Sequence, residues 1–147
     1  MKKTLFSLII LLAAMSMQAQ STLTKAKDDA KVQHKFILLN FSGSDWCIPC
    51  IQMEKEIFEK QSFNQYAADH LIVMHADFPR SKKHQLPKDQ VKENEALAEQ
   101  YNNKGAFPYT VLLDENGKVL KEWQGNPDVS AEQFVQDIET VINTHHS

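Results

Sequence analysis

The chain has 147 residues, with 16 lysines and arginines against 19 aspartates and glutamates and a net charge of −3. That acidic balance is the wrong electrostatic footprint for nucleic acid, which is excluded as a partner. The length suits one domain, long enough to bury a core without disulfide staples.

Met1-Lys2-Lys3 precedes an almost uninterrupted apolar run from Leu5 to Met15 that ends in small and polar residues, the pattern of a secretory signal peptide. The run is shorter than the roughly twenty residues that span a bilayer core. Residues 1–19 are therefore expected to be a signal peptide cleaved near Ala19, and residues 20–147 a soluble domain that is periplasmic or secreted. Met17 stands where a small residue is usual, so an uncleaved anchor is the alternative. Without Lys2 and Lys3 the balance is 14 basic to 19 acidic residues, a net of −5.

In chain order, Thr22 to Gln33 is polar with Ala26 and Ala30 at helical spacing and predicts a leading helix. Lys35 to Phe41 is a short apolar run of the kind a strand buried on both faces shows. From Cys50 to Lys60, Ile51, Met53, Ile57 and Phe58 give an amphipathic helix, and Ser62 is placed as the cap of a further helix through Tyr66. Leu71 to Asp77 is a second buried strand. Phe78 to Asp89 holds Pro79, Arg80, Lys82, Lys83, His84 and Pro87, too many breakers and charges for a core element, and reads as an exposed loop.

Val91 to Tyr101 predicts a helix with Val91, Leu97, Ala98 and Tyr101 facing inward, ended by Asn102, Asn103 and Gly105. Phe107-Pro108 opens a third strand. Asn116-Gly117 between Tyr109–Leu113 and Val119–Trp123 is a hairpin signal. Ser130 with Gln133 forms a capping box for a last helix, whose buried stripe is Phe134, Ile138, Val141 and Ile142. The order helix, strand, helix, strand, helix, strand, strand, helix implies an α/β sandwich: a parallel unit, then an antiparallel hairpin, with helices on both faces.

Both cysteines of the chain lie in Cys47-Ile48-Pro49-Cys50. A bridge closing so short a loop adds little chain entropy, so its value is chemical. Structural zinc needs four ligands, and His34, His70, His75, His84, His145 and His146 are scattered without metal-ligand spacing. Covalent haem wants a histidine after the second cysteine, where Ile51 stands. No metal is expected, and no cofactor beyond the redox-active Cys47-Cys50 pair. A cysteine pair between a buried strand and the first turn of a helix suits redox chemistry, because the helix N-terminus favours the thiolate. Cys47 is the expected nucleophile, and Cys50, one turn further in, the residue that resolves the mixed disulfide.

Gly43-Ser44-Asp45-Trp46-Cys47-Ile48-Pro49-Cys50, with Met53, Glu56 and Phe58, Asp77-Phe78-Pro79-Arg80, Ala96-Leu97-Ala98 and Gly105-Ala106-Phe107-Pro108, resembles the thioredoxin superfamily over roughly residues 34 to 142. Narrowly, it is similar to exported thioredoxin-like proteins with a Gly-Ser-Asp-Trp-Cys-x-x-Cys motif. The resemblance implies a thioredoxin-like three-layer α/β/α sandwich with a mixed sheet. It also implies a cis Phe107-Pro108 bond against the cysteines, a Phe107 backbone free to pair with a bound polypeptide, and Trp46 as an apolar platform.

Two departures stand out. Asn40 falls where thioredoxins place a buried aspartate, and Val73 falls nearest to that aspartate's lysine partner, so proton transfer from Cys50 needs water or another carboxylate: Asp45, Glu54 or Glu56. Tyr109 replaces the threonine usual after the proline. Proline before Cys50 resembles reducing thioredoxins, whereas strong oxidases tend to have histidine there.

The expected activity is therefore reduction of disulfides in protein substrates by a monomer, supplied by a membrane-bound thiol electron donor because the compartment is oxidising. A disulfide oxidase or isomerase, or a noncatalytic polypeptide-binding module, are the alternatives. The basic run Arg80 to His84 is a candidate docking element or a solvated loop.

Overall fold

The Ser21 hydroxyl accepts the Thr24 N–H at 3.2 Å and so starts the first helix, α1 (Thr22–Gln33), which ends at His34 in the left-handed conformation. The computed structural model describes residues 21–146, and the expected signal peptide lies outside them. After α1 come β1 (Phe36–Ser42), α2 (Ile48–Met53), which continues into a π-helical turn at Glu54–Phe58, and α3 (Gln61–His70). The chain goes on through β2 (Leu71–Asp77), a 3-10 turn at Lys82–His84, α4 (Lys88–Tyr101), β3 (Tyr109–Leu113), β4 (Val119–Gln124) and α5 (Ala131–His146).

The four strands form one mixed sheet in the order β2-β1-β3-β4. β1 runs parallel to β2 and antiparallel to β3, and β3 is antiparallel to β4. Parallel neighbours need a crossover, here supplied by α2 and α3. Alternation along β1 then sorts the core. Ile37, Leu39 and Phe41 pack with Val111, Leu113, Ala76 and with Ala26, Ala30 and Leu97 of α1 and α4. Phe36 and Leu38 pack with Leu112, Trp123 and with Met53, Phe63, Phe134 and Ile138 of α2, α3 and α5. This is the expected thioredoxin-like α/β/α sandwich.

Local differences from the sequence reading have physical causes. The helix after the cysteines changes pitch after Met53, where the Glu59 N–H reaches back five residues to the Glu54 carbonyl at 2.8 Å. That extra residue buries Met53, Ile57 and Phe58 together. α3 starts at Gln61 behind Lys60, so Ser62 is inside the helix rather than its cap, and the helix runs past Tyr66 to His70. The expected loop contains the 3-10 turn, and α4 begins at Lys88. Val91 is 38% exposed rather than inward-facing, while Asn94 and Leu97 are buried.

The hairpin forms where Asn116-Gly117 signalled it, but Asp114 organises it. Its buried carboxylate accepts the N–H groups of Asn116 and Lys118, both at 2.9 Å, and Gly117 takes a φ of +85° that favours glycine. At α5 the Ser130 hydroxyl accepts the Gln133 N–H at 3.2 Å. Phe134, Ile138 and Ile142 are buried and Val141 is partly so.

Candidate active site

β1 delivers the chain to a tight turn in which the N–H groups of Trp46 and Cys47 both donate to the Gly43 carbonyl, at 3.2 and 2.9 Å. Gly43 is required by close approach, since a Cβ there would overlap the Trp46 indole. Cys47 becomes the N-cap of α2, and its sulfur accepts the Cys50 N–H at 3.3 Å. Cys47 and Cys50 are joined by a disulfide with Cα atoms 5.2 Å apart. Both are nearly buried, at 5% and 3% exposure, so burial does not distinguish them. The distinction is positional: the sulfur of Cys47 sits at the helix N-terminus, where a backbone N–H and the helix dipole favour negative charge.

The Phe107-Pro108 bond is cis. It is presented by a loop that Asn102 braces from beneath: this buried side chain accepts the Ala106 N–H at 3.0 Å and donates to the Ala106 carbonyl at 2.8 Å. Trp46 is half-buried with its ring edge-on to Phe107, centroids 5.5 Å apart, and Phe107 meets Phe78 at the same separation. Trp46 Nε1 donates to the Phe78 carbonyl at 2.8 Å, and the Arg80 guanidinium lies 3.6 Å over the indole.

From sequence alone Phe78 has no role at the site, and Arg80 only heads the candidate docking run that ends at His84. Their signal was present in Asp77-Phe78-Pro79-Arg80, but only the fold brings the end of β2 beside the cysteine loop. Ser44 fixes that approach, donating from its N–H and hydroxyl to the Asp77 carboxylate at 2.9 and 2.6 Å.

The three carboxylates considered for proton transfer separate clearly. Asp45 faces the loop after β2. It accepts the N–H groups of Arg80 and Ser81 at 2.9 and 2.8 Å and lies 3.1 Å from His84 Nδ1. The Arg80 N–H above all, with Ser81 and His84, holds its carboxyl below the usual carboxylate range, against the opposing effect of desolvation. Asp45 thus anchors the loop after β2. Glu56 is exposed on the π turn and is not in the wall of the cavity that Cys50 lines.

Glu54 is different. A cavity of about 190 Å³ has Cys50, Ile51, Glu54, Lys55 and Glu59 in its wall, together with Ser42 and Ser44. Asn40, 2% exposed, donates its amide to Thr110 Oγ1 at 2.8 Å, so the position of the missing aspartate is satisfied by a neutral hydrogen bond.

A model of the thioredoxin-like domain family matches residues 23–142. The chain belongs to the thioredoxin-like family. It is 40% identical over 131 residues to the disulfide bond reductase DsbH of Chlamydia pneumoniae, covering 89% of this chain and 76% of that protein. Among solved structures it resembles a DsbH oxidoreductase at 33% identity and a TM-score of 0.75, over 89% of this chain and 88% of the other. A disulphide isomerase from Xylella fastidiosa Temecula1, at 22% identity, TM-score 0.59 and coverage of 88% and 96%, shares the fold. With its Cys-x-x-Cys pair in a disulfide, this thioredoxin-like chain is a thiol-disulfide oxidoreductase.

Proposed function

We propose that the protein acts in the reducing direction on disulfides of protein substrates, with Cys47 as nucleophile and Cys50 as resolving thiol. The observation that carries this is the first turn of α2: Ile48 and Pro49, neither titratable, separate the cysteines, and the Cys47 sulfur receives a backbone N–H. With no cationic side chain in that intervening pair, the reduced form gains less than in a strong oxidase, which lowers the potential. The name of the Chlamydia pneumoniae relative, a disulfide bond reductase, supports the same direction.

The Cys47 thiolate attacks a client disulfide, forming a mixed disulfide and expelling one client thiolate. The Cys50 thiol then loses its proton and attacks the Cys47 sulfur. This closes the Cys47-Cys50 disulfide and expels the second client sulfur, which takes up a proton. Trp46 and Phe107, both half-buried, form the client-facing surface, and Pro108 is itself buried in the cis bond that presents Phe107. No group beyond the disulfide is needed for these electrons to balance.

Regenerating the dithiol takes an outside reductant. The signal-peptide pattern in residues 1–19 supports export to the periplasm or beyond, and in an oxidising compartment the donor is a membrane-bound thiol protein. The protein works as a monomer. The reduction potential tests the direction: thiol labelling across a defined redox series is expected to give a value near about −270 mV, and a value near about −120 mV would make the protein a disulfide donor.

Glu54, four residues after Cys50 on the same helical face and in the wall of the same cavity, is the proton acceptor in the resolving step. Lys55 and Glu59 share that wall, Asp77 is held by Ser44, and His75 packs edge-on to Phe58 at 5.7 Å. In Glu54→Gln, breakdown of the mixed disulfide is expected to slow by about 10²-fold at neutral pH, the lower end of general-base effects. Its rate should keep rising with pH toward the thiol range near about 8.5, beyond the point where the wild type has levelled off. Superimposable pH profiles in stopped-flow single turnovers would remove Glu54 from the step.

A further inference from the structure

From Pro79 to Lys92 the chain carries Arg80, Lys82, Lys83, Lys88 and Lys92 against the single acid Asp89, a local excess of four positive charges in a protein of net charge −3. All five basic side chains belong to exposed residues. Sequence alone leaves Arg80 to His84 as a docking element or a solvated loop, because exposed lysines on a loop contribute little.

The structure changes that reading by fixing the start of the run against the redox site. Asp45 accepts the N–H groups of both Arg80 and Ser81, and His84 Nδ1 meets the same carboxylate. The Phe78 N–H donates to the Ser42 carbonyl at 2.8 Å, the Phe78 carbonyl receives Trp46 Nε1, and Arg80 stacks on the Trp46 ring. Asn94 of α4 donates to the Asp77 carbonyl at 2.8 Å, tying the far side of the loop to the same strand end.

Two acids beside the run are engaged inward, while Asp89 within it is exposed. The Asp45 side chain is only 9% exposed beneath the loop, and the Asp77 carboxylate is engaged by Ser44. What remains outward is a strip of five basic residues and Asp89, net basic. It is continuous through Arg80 and Trp46 with the half-buried aromatic surface of Trp46, Phe78 and Phe107 beside Cys47.

We propose that this strip docks an acidic segment of the client polypeptide next to the disulfide being reduced. The inference rests on the reductase reading and adds a substrate class to it. Opposite charge steers the client to the site and sets its register, while the aromatic surface takes the apolar part of the contact.

The test uses three synthetic peptides with the same disulfide and length, its flanks carrying aspartate and glutamate, serine, or lysine. Turnover by the dithiol form is followed at low ionic strength. The acidic peptide is expected to have at least about tenfold higher kcat/KM than the lysine peptide, a preference lost toward 1 M salt, where charges are screened beyond roughly 3 Å.

Lys82→Glu/Lys83→Glu/Lys88→Glu is expected to invert the ratio, whereas damage to the fold would lower all three rates together and leave it unchanged. Equal turnover of the three peptides by the wild type would overturn the docking proposal and leave the reductase intact, as would an unchanged preference in the triple variant. Turnover of none of them would overturn the reductase reading and this proposal with it.

Discussion

Cys47→Ser is expected to bring disulfide reduction down to the uncatalysed background, while Cys50→Ser completes the first half of the reaction and stops there. A hydroxyl at the N-cap of α2 accepts the same backbone N–H as the sulfur does, so the helix start is preserved, but it cannot supply the thiolate that attacks a disulfide. Cys50→Ser leaves that thiolate and removes the thiol that would resolve the adduct. Incubated with a disulfide-bonded protein, it should accumulate a mixed disulfide visible on non-reducing gels and released by dithiothreitol; Cys47→Ser should form none. Stability should change little in either variant, because the bridge spans three positions in sequence and constrains little of the unfolded chain. Trapping through Cys50 in the Cys47→Ser protein would reverse the assigned roles, and full activity in that variant would make the pair a local structural bridge.

The largest expected effect on stability comes from Phe134→Ala. Phe134 is completely buried on α5 and meets Trp123 at 5.0 Å, Phe58 at 6.2 Å and Phe63 at 6.4 Å between ring centroids. It therefore joins β4, the π turn after α2, and α3 on one face of the sheet. Removing the ring leaves a cavity whose walls are themselves rings anchored in three elements and poorly able to collapse. The expected loss is about 3–5 kcal/mol, a large part of the roughly 5–15 kcal/mol that holds a domain together. The melting temperature should fall by roughly 10–20 °C. A loss below about 1 kcal/mol in urea unfolding would show that the aromatic cluster adapts freely and is not the keystone of that face.

Much of this molecule was legible before its coordinates. The leading helix, the central strand, the second strand, the hairpin and the last helix follow from periodicity and from Ser, Asn and Gly signals, because such patterns record which face of each element meets the core. The chemical pair was legible for a comparable reason: two cysteines two residues apart, between an apolar strand and an amphipathic helix, leave few alternatives once metal and haem spacing are absent. Thioredoxin likeness then supplied Trp46, Phe107 and Pro108 by position.

What the sequence determined by itself was therefore the order of elements, the fold class and the place of the Cys47-Cys50 pair, all properties of local pattern. Tertiary structure decided the rest, because it depends on which distant segments meet. Asp45, Glu54 and Glu56 lie close in sequence and are equal candidates on paper. In the fold Asp45 turns toward a loop 35 residues away in sequence, Glu54 and Glu56 are both exposed, and of these three Glu54 is the one in the wall of the cavity that Cys50 lines.

Val91 shows the same limit: its place in the helical repeat pointed inward, but the packing of α4 gives the core to Leu97 and Asn94. The basic run after β2 is the clearest case. Its charge is written in the sequence, but its position beside the redox pair is set by Ser44–Asp77, Asp45–Arg80 and Trp46–Phe78, contacts that exist only once parallel pairing lays the ends of β1 and β2 side by side.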